Sequence, residues 1–108
     1  MKFEKACIPL GFSWSSPFVR WQKELSEVSS TDLAVLVTKR VLKDRQFDPS
    51  QLTQLVLGWT IPQKQIFYGA PTVAARIGAG HITGPMISQA CATSVACVHH
   101  AALNLELN

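Results

Sequence analysis

Hydrophobic positions along the chain change period several times, and each change predicts an element. Ala6 to Leu10 is a short apolar run that predicts a first strand. Gly11 and the stretch Ser13 to Pro17 break it, and Pro17 favours a loop through Arg20. A polar stretch with Trp21 and Leu25 follows, with room for a short helical turn. Leu33, Leu36, Val37 and Val41 then recur at helical spacing while Lys39, Lys43 and Asp44 take the outer side, which predicts a helix over 31–46. Ser29 and Asp32 stand at the spacing of a capping box, with Asp in place of Glu. Asp48-Pro49-Ser50 is a turn. Leu52 to Trp59, with Leu55-Val56-Leu57 at its centre and Gly58 behind it, reads as a buried strand that Ile61-Pro62-Gln63 ends. Ala70-Pro71 opens a second helix, since proline is tolerated in the first turn, and Gly78 and Gly80 close it. Gly84-Pro85 marks a turn, and Met86 to Ala90 predicts a third strand. From Ala92 onward Val95, Ala96, Val98, Ala101, Ala102 and Leu103 cover most of a helical wheel, so this helix is expected to be enclosed by protein.

Strand, helix, strand, helix, strand, helix is the order of an α/β layer with a mainly parallel sheet and helices on both faces. The 108 residues suit one partial domain spanning 1–108, and the C-terminal Leu105-Glu106-Leu107-Asn108 carries no helix stop, as if a larger fold continued there. Composition adds one constraint. Hydrophobic residues make up 47% and charged residues 16%, which leaves too thin a charged shell for a lone domain. Apolar surface is therefore expected to meet another chain or domain. The net charge of +3 is scattered and forms no block, which argues against nucleic acid as a partner and allows an anionic ligand. Three cysteines cannot all pair, so reduced thiols and a reducing, cytoplasmic setting are expected. The N-terminus lacks the apolar core of a signal peptide, and no apolar run reaches the about 20 residues of a membrane span.

The candidate chemistry sits at Cys91, between the third strand and the apolar helix. Open backbone N–H groups and the helix dipole favour negative charge at a helix start. A thiolate gains from both and becomes a better nucleophile near neutral pH. The same N–H groups can receive the oxyanion that forms when a thiolate attacks a carbonyl. The plainer alternative is a small core residue, because free cysteine packs well. Cys91, Cys97, His99 and His100 fit no zinc spacing, so no metal ligands are expected. Cys97, on the far side of the helix from Cys91, reads as core filler, and Cys7 in the first strand as core. His99 and His100 lie about two turns from Cys91, out of reach for a direct hydrogen bond. His81, on the loop before the third strand, is the remaining candidate base, and nothing in the sequence aims it at Cys91.

These residues resemble a known family. "GPMISQACATSVACVHHAA" is similar to the segment in which thiolases, acyl-CoA C-acyltransferases, hold their acyl-accepting cysteine in a C-x-S/T-S/G-x-x-A setting. Here that is Cys91-Ala92-Thr93-Ser94, with Ala96 or Cys97 near the small position. Ser16-Pro17-Phe18 is similar to the family's R-T-P-F turn, and Ser30-Thr31-Asp32-Leu33, Leu57-Gly58 and Ala79-Gly80 follow in the family's order across nearly the whole chain. Ser88 stands where many members have asparagine, and Gln63 to Tyr68 lacks the glycine-rich and Asn–Arg pattern. These departures bear on the subfamily more than on the fold.

The resemblance implies a thiolase-like N-terminal domain, an incomplete fragment of the whole. It implies Cys91 as the catalytic nucleophile, acyl-CoA or coenzyme A as substrate rather than bound cofactor, and a homo-oligomer paired through the third strand, Met86 to Ala90. It also implies acid and base groups from G-H-P, N-E-A-F and C-x-G segments that this chain lacks, so the 108 residues alone are expected to be inactive in turnover. Two other readings stand beside it: a β-ketoacyl synthase of the same superfamily, and a non-catalytic assembly subunit.

Overall fold

In the computed structural model, which describes residues 2–108, two short parallel strands lie between three helices. Helix α1 is Ser30–Asp44, strand β1 Leu57–Gly58, helix α2 Gly69–Arg76, strand β2 Met86–Ile87 and helix α3 Thr93–Leu107. A 3₁₀ turn, Pro49–Gln51, precedes β1, and a second, Ala90–Ala92, joins β2 to α3.

α1 starts where its capping signal lies. Ser29 Oγ accepts from the Asp32 N–H at 3.0 Å and donates to the Asp32 carboxylate at 2.7 Å. The Asp32 carboxylate also receives Arg76 of α2, which ties the two helices together. Both helices end in Schellman turns. In α1 the Phe47 N–H reaches Leu42 O and the Gln46 N–H reaches Lys43 O, with Gln46 at φ 53°. In α2 the Ala79 N–H reaches Ala74 O and the Gly78 N–H reaches Ala75 O, with Gly78 at φ 92°. The α1 boundary therefore falls two residues before the one read from periodicity. Its apolar stripe also sits differently. The buried line runs through Thr31, Val35 and Leu42, while Leu36 is 60% exposed, because α1 packs by one side on α2 and the Leu36 side is uncovered.

β1 and β2 pair in parallel, Leu57 opposite Met86 and Gly58 opposite Ile87. Hydrogen bonds from Leu55 N–H to Thr83 O and from Trp59 N–H to Ile87 O carry the contact beyond the strands proper. One face of the sheet meets α2: a Cβ on Gly69 would lie within 3.1 Å of Leu57, Trp59 and Met86 side chains. The core lies on this side, built from Val35, Val73, Ala74, Ile77, Ala79 and Ile82 with Leu52, Leu55 and Leu57 against it. The other face meets α3, since a Cβ on Gly58 would stand 2.6 Å from Thr93 Cγ2 and 2.7 Å from Cys97 Sγ. The arrangement is α/β, a small parallel sheet with helices on both faces.

The strands read at Leu52 to Trp59 and Met86 to Ala90 shorten to Leu57–Gly58 and Met86–Ile87, and two further expectations fail. Ala6 to Leu10 forms no strand. The N–H groups of Glu4, Lys5 and Ala6 are bound by the Glu106 carboxylate of α3, at 2.9, 3.0 and 3.3 Å. Pro9 has no N–H to give a ladder, and the Phe12 N–H closes a turn on Pro9 O at 3.1 Å with Gly11 at φ 81°. Cys7 is accordingly exposed rather than core. Nor is α3 enclosed: only Thr93 is buried, while Val95 is 70% and Leu107 81% exposed. No helix among the described residues is long and apolar enough to cross a membrane.

Candidate active site

The site is built from the connection between β2 and α3. β2 ends at Ile87, and the chain then closes the 3₁₀ turn Ala90–Ala92, with the Ala92 N–H on Gln89 O at 2.9 Å. Ala90 takes φ 48°, a left-handed conformation that costs a residue with a side chain roughly 1–2 kcal/mol. Cys91 follows in the same turn, directly ahead of α3, and is exposed. The sequence placed it at the helix start, and it lies one turn earlier, in the 3₁₀ segment that leads in.

Thr93 holds this turn. Its hydroxyl accepts from the Gln89 N–H at 2.8 Å and donates to Ala90 O at 2.8 Å. Its own N–H also reaches Ala90 O. Thr93 is buried, with its methyl group against Gly58. The motif matching took Thr93 as one letter of a pattern; the signal for its structural role was a hydroxyl-bearing residue at the first helical position after a strand.

No side chain caps the amide end of α3. Neither Ala92 ahead of the helix nor Gln89 ahead of the 3₁₀ turn makes a side-chain capping bond. The 3₁₀ turn takes up the Ala92 and Thr93 N–H groups, so the helix dipole and the Cys91 N–H are what favour an anion at the exposed thiol.

The other candidates are not brought to Cys91. His81 Nε2 bonds Leu52 O at 2.9 Å ahead of the amino ends of the strands, which ties it to the loop before β1. His100 Nδ1 sits 3.2 Å from Asn104 Nδ2, and His99 packs edge-on against Phe3 at 5.7 Å. Cys97 faces the sheet, where burial pushes its thiol up from the ordinary value, as suits core filler. Within the described residues Cys91 has an exposed thiol in a held backbone turn and makes no hydrogen bond to a histidine; the Ala92 and Thr93 N–H groups are taken by Gln89 O and Ala90 O, which leaves the Cys91 N–H to meet an anion.

Parallel strands put their carboxyl ends at one end of the sheet, where α/β proteins bind ligands. There a cleft of about 370 Å³ opens past Gly58, lined by Ser30, Thr31, Trp59, Thr60 and Ile61 among others. The Cys91 turn follows the neighbouring strand at the same end, but none of its residues lines this cleft.

The chain is 34% identical over 62 residues to the β-ketoacyl-[acyl-carrier-protein] synthase III 3 of Streptomyces coelicolor. The likeness is to a condensing enzyme. It covers 57% of this chain and 18% of that protein, so the chain spans less than a fifth of its relative. No family model matches the chain, and no solved structure does. The partial likeness supports the thiolase-like superfamily at the level of acyl transfer and condensation, and does not single out acyl-CoA thiolases.

Proposed function

We propose that this chain is the nucleophile-bearing part of a thiolase-like condensing enzyme, with Cys91 as the residue that carries the acyl group. The observation that carries the reading is the placement of an exposed cysteine in a strained, hydrogen-bonded turn between β2 and an uncapped helix start. The Cys91 thiolate attacks the carbonyl carbon of an acyl thioester and forms a new carbon–sulfur bond. The carbonyl oxygen takes the charge and is met by the Cys91 N–H. The donor carbon–sulfur bond then breaks, and coenzyme A leaves as a thiolate. An acceptor carbanion next attacks the acyl-Cys91 carbonyl, forms the carbon–carbon bond and expels the cysteine thiolate. The resemblance assigns the making of the carbanion to G-H-P, N-E-A-F and C-x-G segments, none of which occurs in this sequence.

The acceptor divides the subfamilies. A thiolase passes the acyl group to coenzyme A or to a second acyl-CoA, which the ordered motifs favour. A β-ketoacyl synthase works on acyl carrier protein, which the Streptomyces relative favours. Acetyl-CoA incubated with the chain tests the shared first half. Peptide mapping by mass spectrometry is expected to find acetyl on Cys91, absent from Cys7 and Cys97 and lost in Cys91→Ala. Acetyl spread evenly over Cys7 and Cys91, or found on neither, overturns the reading.

A further inference from the structure

The hydroxyl of Thr93 has its one proton committed. Its oxygen accepts from the Gln89 N–H at 2.8 Å, so its hydrogen goes to Ala90 O, also at 2.8 Å. Ala90 O therefore takes two donors from a single residue, the Thr93 hydroxyl and the Thr93 N–H. That carbonyl belongs to the peptide unit linking Ala90 to Cys91. The described chain has no cis peptide bond, so the Cys91 N–H projects from the opposite edge of the same plane. Fixing the oxygen fixes the direction of the hydrogen. A carbonyl that accepts hydrogen bonds also polarises its own N–H, which makes that N–H a stronger donor. Left to itself the turn would relax, because Ala90 sits at φ 48°.

We infer that Thr93 is a positioning residue for acyl transfer: its hydroxyl aims and strengthens the Cys91 N–H as an oxyanion donor, without touching the substrate. This rests on the reading of Cys91 as the acyl carrier. It gives the threonine a role that an ordinary helix-start residue lacks. An ordinary cap bonds an N–H inside its own helix, whereas Thr93 reaches back to the peptide plane of the nucleophile. Its burial and its contact with Gly58 hold the hydroxyl in place.

Two reactions of the same sulfur separate this role from general support of the fold. Attack on acetyl-CoA builds an oxyanion that needs the N–H. Alkylation by iodoacetamide displaces iodide and builds none. In Thr93→Val the acetylation rate of Cys91 is expected to fall by about 10- to 100-fold, the range seen when an oxyanion donor is misplaced. The alkylation rate of Cys91, referenced to Cys7 in the same chain, should stay within about twofold, since no oxyanion donor is involved. Thr93→Ser keeps the hydroxyl and should restore acetylation. Should Thr93→Val lose its helical circular dichroism, Thr93→Ala removes the same hydroxyl with less bulk and is read the same way. Acetylation unchanged in the variants, or acetylation and alkylation falling together, overturns the inference and leaves Cys91 standing as the acyl carrier. An unsubstituted chain that alkylates at Cys91 yet takes no acetyl group overturns both.

Discussion

Gly58 shows how one missing side chain governs the site. It lies on β1 at the point where α3 approaches most closely, and the space above it is filled by Thr93 Cγ2 and Cys97 Sγ. A methyl group there would stand 2.6 Å from one and 2.7 Å from the other, inside van der Waals contact. Thr93 cannot give way, because its hydrogen bonds pin it. Gly58→Ala is therefore expected to destabilise the chain by about 1–3 kcal/mol, the usual cost of overpacking. A urea titration followed by circular dichroism measures it, and an unchanged midpoint would mean that α3 does not sit where described. Gln46 makes the opposite case. It ends α1 at φ 53°, a conformation that glycine adopts without a steric penalty. Gln46→Gly should raise the midpoint of the same titration by the equivalent of about 1 kcal/mol.

At the scale of elements, what the sequence made legible is whatever local chemistry decides. Ser29 and Asp32 marked the start of α1, Gly78 the end of α2, and the strand–Cys–helix order placed Cys91 beside α3, all within a turn or two. Local signals could not reveal what a segment packs against. Ala6 to Leu10 has the composition of a strand, but a strand exists only beside another, and these residues turn away through Pro9 and Gly11. The determining partner, Glu106, is a hundred residues away in sequence and has no periodic signature. That contact makes a prediction about pH. The N–H groups of Glu4 and Lys5, then that of Ala6, hold the Glu106 carboxyl below its ordinary range. A depressed carboxyl favours the folded contact above the ordinary carboxylate range, and the contact is lost as pH falls through the lowered value. Amide resonances of Lys5 and Ala6 should thus shift together on acidification, and the shift should vanish in Glu106→Gln. Amides that follow Glu4 or the bulk pH alone would deny the clasp.

The whole molecule exposes more surface than its mass accounts for. A compact monomer of this mass would show about 5,900 Å² and have a radius of gyration near 13 Å. This chain shows 8205 Å² and has a radius of 14.4 Å. Much of the excess is apolar, as at Leu10, Phe18 and Trp21 in the N-terminal segment and at Val95 and Leu107 on α3. The thin charged shell counted in the sequence therefore corresponds to real uncovered surface. β2 adds backbone to it. The carbonyls of Pro85 and Ile87 turn toward β1, so Met86 and Ser88 point their backbone groups to the free edge. A groove of about 530 Å³ runs beside that edge along α3, lined by Ile87, Gln89, Ala92, Val95 and His99 among others. An open strand edge next to an apolar groove suits a second copy of the same strand, joined by the same surface on both sides. Self-association through 86–90 is the expected result, read by light scattering across a concentration series. Ser88→Pro removes an edge N–H without altering the groove, and should weaken association by about tenfold, equivalent to roughly 1.4 kcal/mol. Leu36→Glu, on the uncovered side of α1, should leave it unchanged. Equal weakening by both substitutions would point to nonspecific contact among the exposed apolar residues, because only pairing at β2 distinguishes one edge from the rest of the surface.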